Sequence, residues 1–139
     1  MLDAVLWLCP IPFKIKHLWQ CGGIRYFLCK RIFKKCGKHV NIERQAYFAF
    51  GIDIEIGDYS GIGIINAHIP NGTIIGDYVM MGPNCLILDV NHDISDTTRP
   101  MCQQGMTEKK ITKIYNDMWI GRDVHMTRVE LFQMVLSLR

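Results

Sequence analysis

Residues 50–93 repeat with a period of six, and few folds tolerate that period. Large aliphatic residues stand at Ile56, Ile62, Ile69, Ile75, Met81 and Ile87, with one extra residue between Ile62 and Ile69. Glycine follows the aliphatic residue at 57, 63, 76 and 82, and Pro70 takes that place once. Four residues after each aliphatic comes something small: Ser60, Thr73, Val79, Cys85, and Ala67 once the insertion is allowed for. The tetrapeptide Ile-Gly-Asp-Tyr occurs twice, at 56–59 and 75–78.

A period of six fits neither an amphipathic helix nor a simple alternating strand. It fits a parallel β-helix, in which three hexads make one triangular coil of about 18 residues with a short strand on each side. The aliphatic residue then points into the prism and stacks on its equivalent one coil away, at about 4.7 Å. Burying each Ile contributes roughly 1.5–3 kcal/mol, so this stack is the core. Glycine suits the corner, where the backbone turns tightly and positive φ is tolerated. The expected fold class is therefore an all-β solenoid with a short N-terminal helical lead-in.

The same residues carry a resemblance. The run Ile56–Cys85, then Asn91-His92-Asp93, Arg99-Pro100-Met101, Gly105 and Asp117-Met118-Trp119-Ile120-Gly121, resembles the hexapeptide-repeat acyltransferases. The sugar and polysaccharide O-acetyltransferases related to maltose and galactoside acetyltransferases are the branch it is most similar to. The likeness covers roughly residues 25–126. It implies a left-handed parallel β-helix that assembles as a homotrimer, and acetyl-CoA as co-substrate. Handedness comes from the resemblance alone, because crossovers between parallel strands are normally right-handed.

The division expected is a lead-in and basic amphipathic helix over 1–38, then a β-helix domain over 39–139 interrupted by an active-site loop at about 89–117. Pro10 and Pro12 break any long helix, and Gly22-Gly23 reads as a turn. Residues 24–36 read as a short helix with an apolar stripe of Ile24, Phe27, Leu28, Ile32 and Phe33. Net charge is +3, yet residues 14–38 hold eight Lys/Arg and no acid, so the remainder sums to −5. The stripe suits packing on the end of the β-helix, or attachment to an anionic membrane surface through residues 24–38 by an apolar face and a basic rim. The patch is short and nothing beyond it supports base readout, so no nucleic-acid partner is expected. Six cysteines (9, 21, 29, 36, 85 and 102) show neither a CxxC pair nor zinc-finger spacing, and read as reduced thiols. Residues 4–9 are apolar but too short for a membrane span, and Asp3 is wrong for a signal peptide. The expected location is cytoplasmic, and peripheral at the inner face of the membrane on the docking reading.

The hexads stop at Leu88. A solenoid that interrupts its own coil for some two dozen residues usually does so for a site. His92 opens that segment, flanked by Asp89, Asn91, Asp93 and Asp96. An imidazole can take up a proton near neutral pH, and a neighbouring carboxylate fixes its tautomer. A surface histidine in a polar turn would look the same. The resemblance decides between them: the family's general base is the His of this loop motif, so His92 is expected to deprotonate a sugar hydroxyl that attacks the acetyl-CoA thioester directly. On the same ground Asp89, Asn91 and Asp96 are candidate acceptor-binding or His-orienting groups, and Asn66 matches a polar residue lining the acceptor pocket. Trp119 is a candidate wall of the cofactor groove; an ordinary packing Trp is the competing reading. No cysteine needs a catalytic role, and no metal site is expected.

The sequence departs from that family at its end. Met126 and Phe132 keep the phase, but no Gly follows either, and the chain ends at Arg139 where relatives continue for several coils. Codons for Gln-Met-Val-Leu-Ser-Leu (133–138), read one base earlier, can spell Pro-Asp-Gly-Val-Ile-Ile, a coil-like run. The expectation is a single-base frameshift near codons 126–133, against a natural short variant or chance. The alternative function is thus a truncated, inactive remnant. Serine O-acetyltransferase is a nearer enzymatic rival, but that family's N-terminal helical domain is missing. A zinc hydratase of the γ-carbonic-anhydrase type needs three converging His, and His17, His39, His68, His92 and His125 offer no close pair.

Overall fold

In the computed structural model the described residues are 18–65, 67–127 and 130–131. A helix, α1 (Leu18–Ile32), leads into β1 (Lys35–Cys36), β2 (Asn41–Ile42), β3 (Glu55–Ile56), β4 (Gly61–Ile62), β5 (Ile74–Ile75), β6 (Met80–Met81) and β7 (Leu86–Leu88). After a loop come β8 (Lys113–Ile114), β9 (Trp119–Ile120), β10 (His125–Thr127) and β11 (Glu130–Leu131). These strands form three parallel stacks that the chain visits in rotation. The first is β1-β3-β5-β8-β11. The second runs β2-β4, then β6-β9, and the Gly61 amide donating to the Val79 carbonyl at 2.8 Å joins its halves. The third passes from Tyr47 to His68 to β7 to β10.

Register shows why the hexad exists. Cys36, Ile56, Ile75 and Ile114 align in the first stack, Ile42 with Ile62 and Met81 with Ile120 in the second, and Ile87 with Met126 in the third. All but Cys36 and Met81 are buried, with Ile56, Ile62 and Ile87 fully so. The small positions fill the remaining interior: Ser60, Ala67, Thr73, Val79 and Cys85 are all buried. The buried hydroxyls and thiol bond to turn carbonyls, Ser60 Oγ to Gly76 at 2.6 Å, Thr73 Oγ1 to Pro70 at 2.7 Å and Cys85 Sγ to Gly82 at 3.2 Å. At these three positions a polar atom enters the core where a tight corner presents a carbonyl, whereas the buried Thr112 hydroxyl has no such partner.

The glycines serve a purpose other than the positive φ suited to a corner. Among the described residues, positive φ at glycine occurs at Gly51, Gly72 and Gly105, not at 57, 63, 76 or 82. The left-handed residue comes two places later and is not glycine: Tyr59, Ile65, Tyr78 and Asn84, each with φ between 55° and 59°. The repeat glycines are required by close approach. A Cβ on Gly57 would sit 2.6 Å from the Gly76 carbonyl carbon, and one on Gly82 would sit 2.8 Å from the Arg122 amide nitrogen. Ile-Gly-Asp-Tyr then reads residue by residue. Ile enters the core and Gly lets coils touch. Asp accepts the amide of the preceding coil (Lys38 N to Asp58 Oδ1 and Asp58 N to Asp77 Oδ1, both 2.7 Å), and Tyr turns the corner. Asn116 continues the ladder, accepting from the Asp77 amide at 2.8 Å. His39, Tyr59 and Tyr78 stack along this corner at centroid spacings of 4.8 and 5.4 Å.

Several expectations shift. The helix spans Leu18–Ile32 rather than 24–36, and Gly22-Gly23 lies within it. Packing outweighs the intrinsic cost of about 1 kcal/mol per glycine: Cys29 is fully buried and Phe33, just past the helix, meets Phe48 edge-on at 5.1 Å. Residues 33–36 leave the helix because Lys35–Cys36 pair with β3. Ile24 and Phe27, expected in the packing stripe, are exposed. The first coil starts at β1, with Val40, Ile42 and Ile54 buried and Ile52 exposed on a turn. The extra residue falls between Gly61 and His68, a longer step than Met80 to Leu86 in the next coil. The interruption closes before 117: Thr112 and Ile114 are buried, and β8 pairs with β5. Asn66, residues 1–17 and the 133–138 run on which the frameshift reading turns lie outside the described residues.

Candidate functional site

The loop between β7 and β8 is a built structure. Its two arms run antiparallel. The Lys110 amide donates to the Asp89 carbonyl (3.0 Å), Thr107 to Asn91 (2.7 Å) and Asp93 to Gly105 (3.1 Å), with His92 opposite Met106. The Asn91 amide also donates to Thr107 Oγ1 at 3.1 Å. A Lys109–Asp89 ion pair at 3.0 Å braces the base.

The tip closes on Asp96. Its carboxylate accepts from the Thr98 amide (2.9 Å), the Thr98 hydroxyl (2.6 Å) and Arg99 Nε (2.7 Å). Its amide donates to Gln104 Oε1 at 3.0 Å, and Gln104 Nε2 donates back to the carbonyls of Asp96 and Arg99, each at 2.8 Å. A short 3-10 turn, Met101–Gln103, completes the tip. The hydrogen bonds from Thr98, then the one from Arg99, hold the Asp96 carboxyl below its ordinary range. The Ser95 amide and hydroxyl do the same for Asp93. A carboxylate with a lowered pKa stabilises the folded form above its unfolded pKa, and that contribution is lost as pH falls through the folded value. Acidification below the ordinary carboxylate range is therefore expected to release the tip. Hydrogen exchange at the Thr98 amide should rise there before exchange rises in the core strands.

His92 stands exposed on the first arm, its amide donating to Asn91 Oδ1 at 2.9 Å. Of the residues singled out in the sequence, Asp89, Asn91, His92 and Asp96 come together in this one loop. Their polar ends are used within it: Asp89 on Lys109, Asn91 on the His92 backbone, Asp96 on the tip. Among the described residues, no carboxylate hydrogen-bonds the His92 ring. Thr98, Gln104 and Lys109 escaped the sequence reading, and Arg99 entered it only as part of a motif, although an Asp followed two residues on by Thr signals such a turn.

Trp119 lies on the outer surface of the second stack, 70% exposed and in register with the equally open Met80. Together they form an apolar ledge. A shallow groove on the first stack, floored by Gly57 and Gly76 and flanked by Lys35, Glu55 and Asn116, takes no residue from the loop. Among the described cysteines, burial pushes Cys29 up to about 12, and also raises Cys36 and Cys85. Cys102 is exposed at the loop tip. Among the described residues, no group of three or more His, Cys, Asp or Glu is placed to hold a metal ion.

The sequence matches no protein-family model and no curated protein. Solved structures do match. A hexapeptide-repeat-containing acetyltransferase from Vibrio cholerae superposes with a TM-score of 0.62 at 22% identity, covering 91% of this chain and 65% of that one. The Vibrio cholerae O1 biovar eltor form in complex with acetyl coenzyme A gives 0.62 at 25% identity, over 91% and 64%. A maltose O-acetyltransferase from Clostridium difficile 630 gives 0.62 at 23% identity, over 91% and 62%. The chain thus spans just under two thirds of the length of the structures it matches, and it has their fold.

Proposed function

We propose that this chain, which has the fold of the hexapeptide-repeat acetyltransferases, is itself an acetyl-CoA-dependent O-acetyltransferase that esterifies a hydroxyl of a sugar or polysaccharide. On this reading the three stacks are the faces of a left-handed parallel β-helix solenoid, and the working assembly is a homotrimer. The observation that carries the reading is the likeness across 91% of the chain to acetyltransferases, one of them complexed with acetyl coenzyme A and one a maltose O-acetyltransferase.

The residues suit the chemistry. Acetyl-CoA supplies the acyl group. His92, exposed on a braced arm, takes the proton of the acceptor hydroxyl as its oxygen bonds to the acyl carbon, and returns a proton to the sulfur as the C–S bond breaks. Proton and electron pair balance without a covalent enzyme intermediate, in keeping with thiols that burial holds protonated. The Met80–Trp119 ledge offers an apolar wall against which a pantetheine arm can pack. Asp89, Asn91 and Asp96 act as positioning residues: they hold the arm that carries His92 and leave acceptor contacts to other groups, Asn66 among them.

The test is to incubate the purified chain with acetyl-CoA and a panel of mono- and oligosaccharides, maltose included. Free thiol and acetyl ester are then followed together. The expected result is one thiol released per ester formed, by an assembly of three chains. Neither binding nor consumption of acetyl-CoA with any hydroxyl acceptor would overturn the proposal.

A further inference from the structure

The N-terminal end of the stacks carries a surface that acetyl transfer does not use. Helix α1 lies against β1 and β2, with Arg25 Nε donating to the Ile42 carbonyl at 2.6 Å and the Tyr26 hydroxyl to the Gly37 carbonyl at 3.0 Å. Its other side leaves Ile24 and Phe27 more than half exposed. The last corner of the same first coil projects Phe50, 81% exposed, and Ile52, 59% exposed. That corner is tight and close to the helix end: Ala49 and Gly51 hold φ at 48° and 70°, and a side chain on Gly51 would press at 3.0 Å on Ile32 and Phe33. Two elements at one end therefore hold four large apolar side chains in water.

The charge around them is predominantly basic. Lys30, Arg31, Lys34, Lys35 and Lys38 are exposed, and Arg31 lies 3.6 Å from the centre of the Phe27 ring. Carboxylates near this end are held by neighbours: Asp58 accepts the Lys38 amide at 2.7 Å and Glu43 accepts from the Asn41 side chain at 2.7 Å. Glu55 is paired with Lys34 at 2.7 Å, and Asp53 accepts a hydrogen bond from Asn71. The Lys34 hydrogen bond lowers the Glu55 carboxyl, so it stays ionised and neutralises one lysine only. The rest of the chain is net acidic. Protein interfaces are depleted in lysine, and a nucleic-acid groove has no use for protruding Phe and Ile tips. An anionic bilayer surface takes both, apolar side chains at the headgroup boundary and a basic rim above it.

We propose that this end of the molecule docks on an anionic lipid surface, with Phe27, Phe50 and Ile52 entering the headgroup boundary and Lys30, Arg31, Lys35 and Lys38 lying over the headgroups. No described helix is long and apolar enough to cross a membrane. The base of the His92 loop lies two coil spacings along the stack, roughly 10 Å from the docked coil. The inference is independent of the proposed activity.

Co-sedimentation of the full chain with vesicles tests it, using phosphatidylcholine alone and phosphatidylcholine with phosphatidylglycerol added. Binding is expected only to the anionic vesicles and should weaken as salt is raised. Lys30→Gln with Arg31→Gln should weaken it roughly 25-fold, at about fivefold per basic residue. Phe50→Ser with Ile52→Ser should weaken it about tenfold, through the apolar area no longer buried, at an unchanged melting temperature. Equal binding to both vesicles, no binding to either, or no effect of either pair of changes would overturn the docking. So would preference for a single-stranded oligonucleotide over vesicles, or a smaller assembly on losing Phe50, which would make the patch a contact between copies.

Discussion

Gly63→Ala and Gly57→Ala are expected to melt the protein some 10–20 °C early, while Gly121→Ala melts with the parent. A Cβ on Gly63 overlaps the carbonyl oxygen of Gly82 and comes within 2.7 Å of the Met81 carbonyl oxygen. On Gly57 it meets the Gly76 carbonyl at 2.6 Å. These neighbours are backbone, so no rotamer change relieves the overlap. The coils must part, stretching bonds such as Gly57 N to Ile75 O, now 2.9 Å. Overpacking of this severity costs about 3–4 kcal/mol, which for a domain of this size is a shift of roughly 3–5 °C per kcal/mol. Gly121 has open space around its position and no positive φ, so its change tests helix-free glycine replacement without the clash. Ile62→Ala, at a fully buried aliphatic position, should cost about 2–5 kcal/mol by leaving a cavity, and so calibrates the scale. Thermal melts followed by circular dichroism decide the matter. A Gly63→Ala melt within 2–3 °C of the parent would mean that close approach is not what these glycines provide.

What made the coil legible is the redundancy of the repeat. Ile56 and Ile75 recur with the same Gly-Asp-Tyr behind them because each of the four residues meets its own equivalent in the next coil. The role of the glycine was not legible, since a turn that needs positive φ and one that needs closeness both select glycine. Only the geometry shows the left-handed residue displaced to Tyr59 and Tyr78, whose rings stack. Phase was lost at β8 because the count broke across the loop. Yet Ile114, Ile120 and Met126 fall six apart, and all three are buried. Helix α1 was misplaced because Gly22-Gly23 argues locally for a turn, whereas burial of Cys29 and Phe33 against the first coil is a tertiary effect. At the site, the sequence brought Asp89, Asn91, His92 and Asp96 into one segment. It could not show that three of them are occupied in bracing it, because that depends on Lys109 and Gln104 folding back from the other arm.

His92→Ala is expected to lower kcat/KM for acetyl transfer 10²- to 10⁴-fold, the usual contribution of a positioned general base, about 2.7–5.5 kcal/mol of barrier. The side chain is exposed and the ring makes no hydrogen bond to a carboxylate among the described residues, so the variant should keep the parent melting temperature. The loss should fall on kcat, with KM for acetyl-CoA little changed, because the imidazole acts only as the hydroxyl proton moves. Asp96→Ala separates base from scaffold. It removes the acceptor for the Thr98 amide, the Thr98 hydroxyl and Arg99, freeing the tip while leaving the imidazole chemically intact. Its expected effect is smaller, about tenfold, since a misplaced but intact base still samples the productive geometry. It should also make Thr98 exchange rapid at neutral pH, a change His92→Ala does not cause. Cys102→Ser should leave the rate alone, because direct transfer forms no bond to a thiol. A His92→Ala enzyme that turns over at the parent rate would move the base to another residue. If Asp96→Ala were then the more damaging change, the loop would matter for the shape it gives the acceptor rather than for the proton it receives.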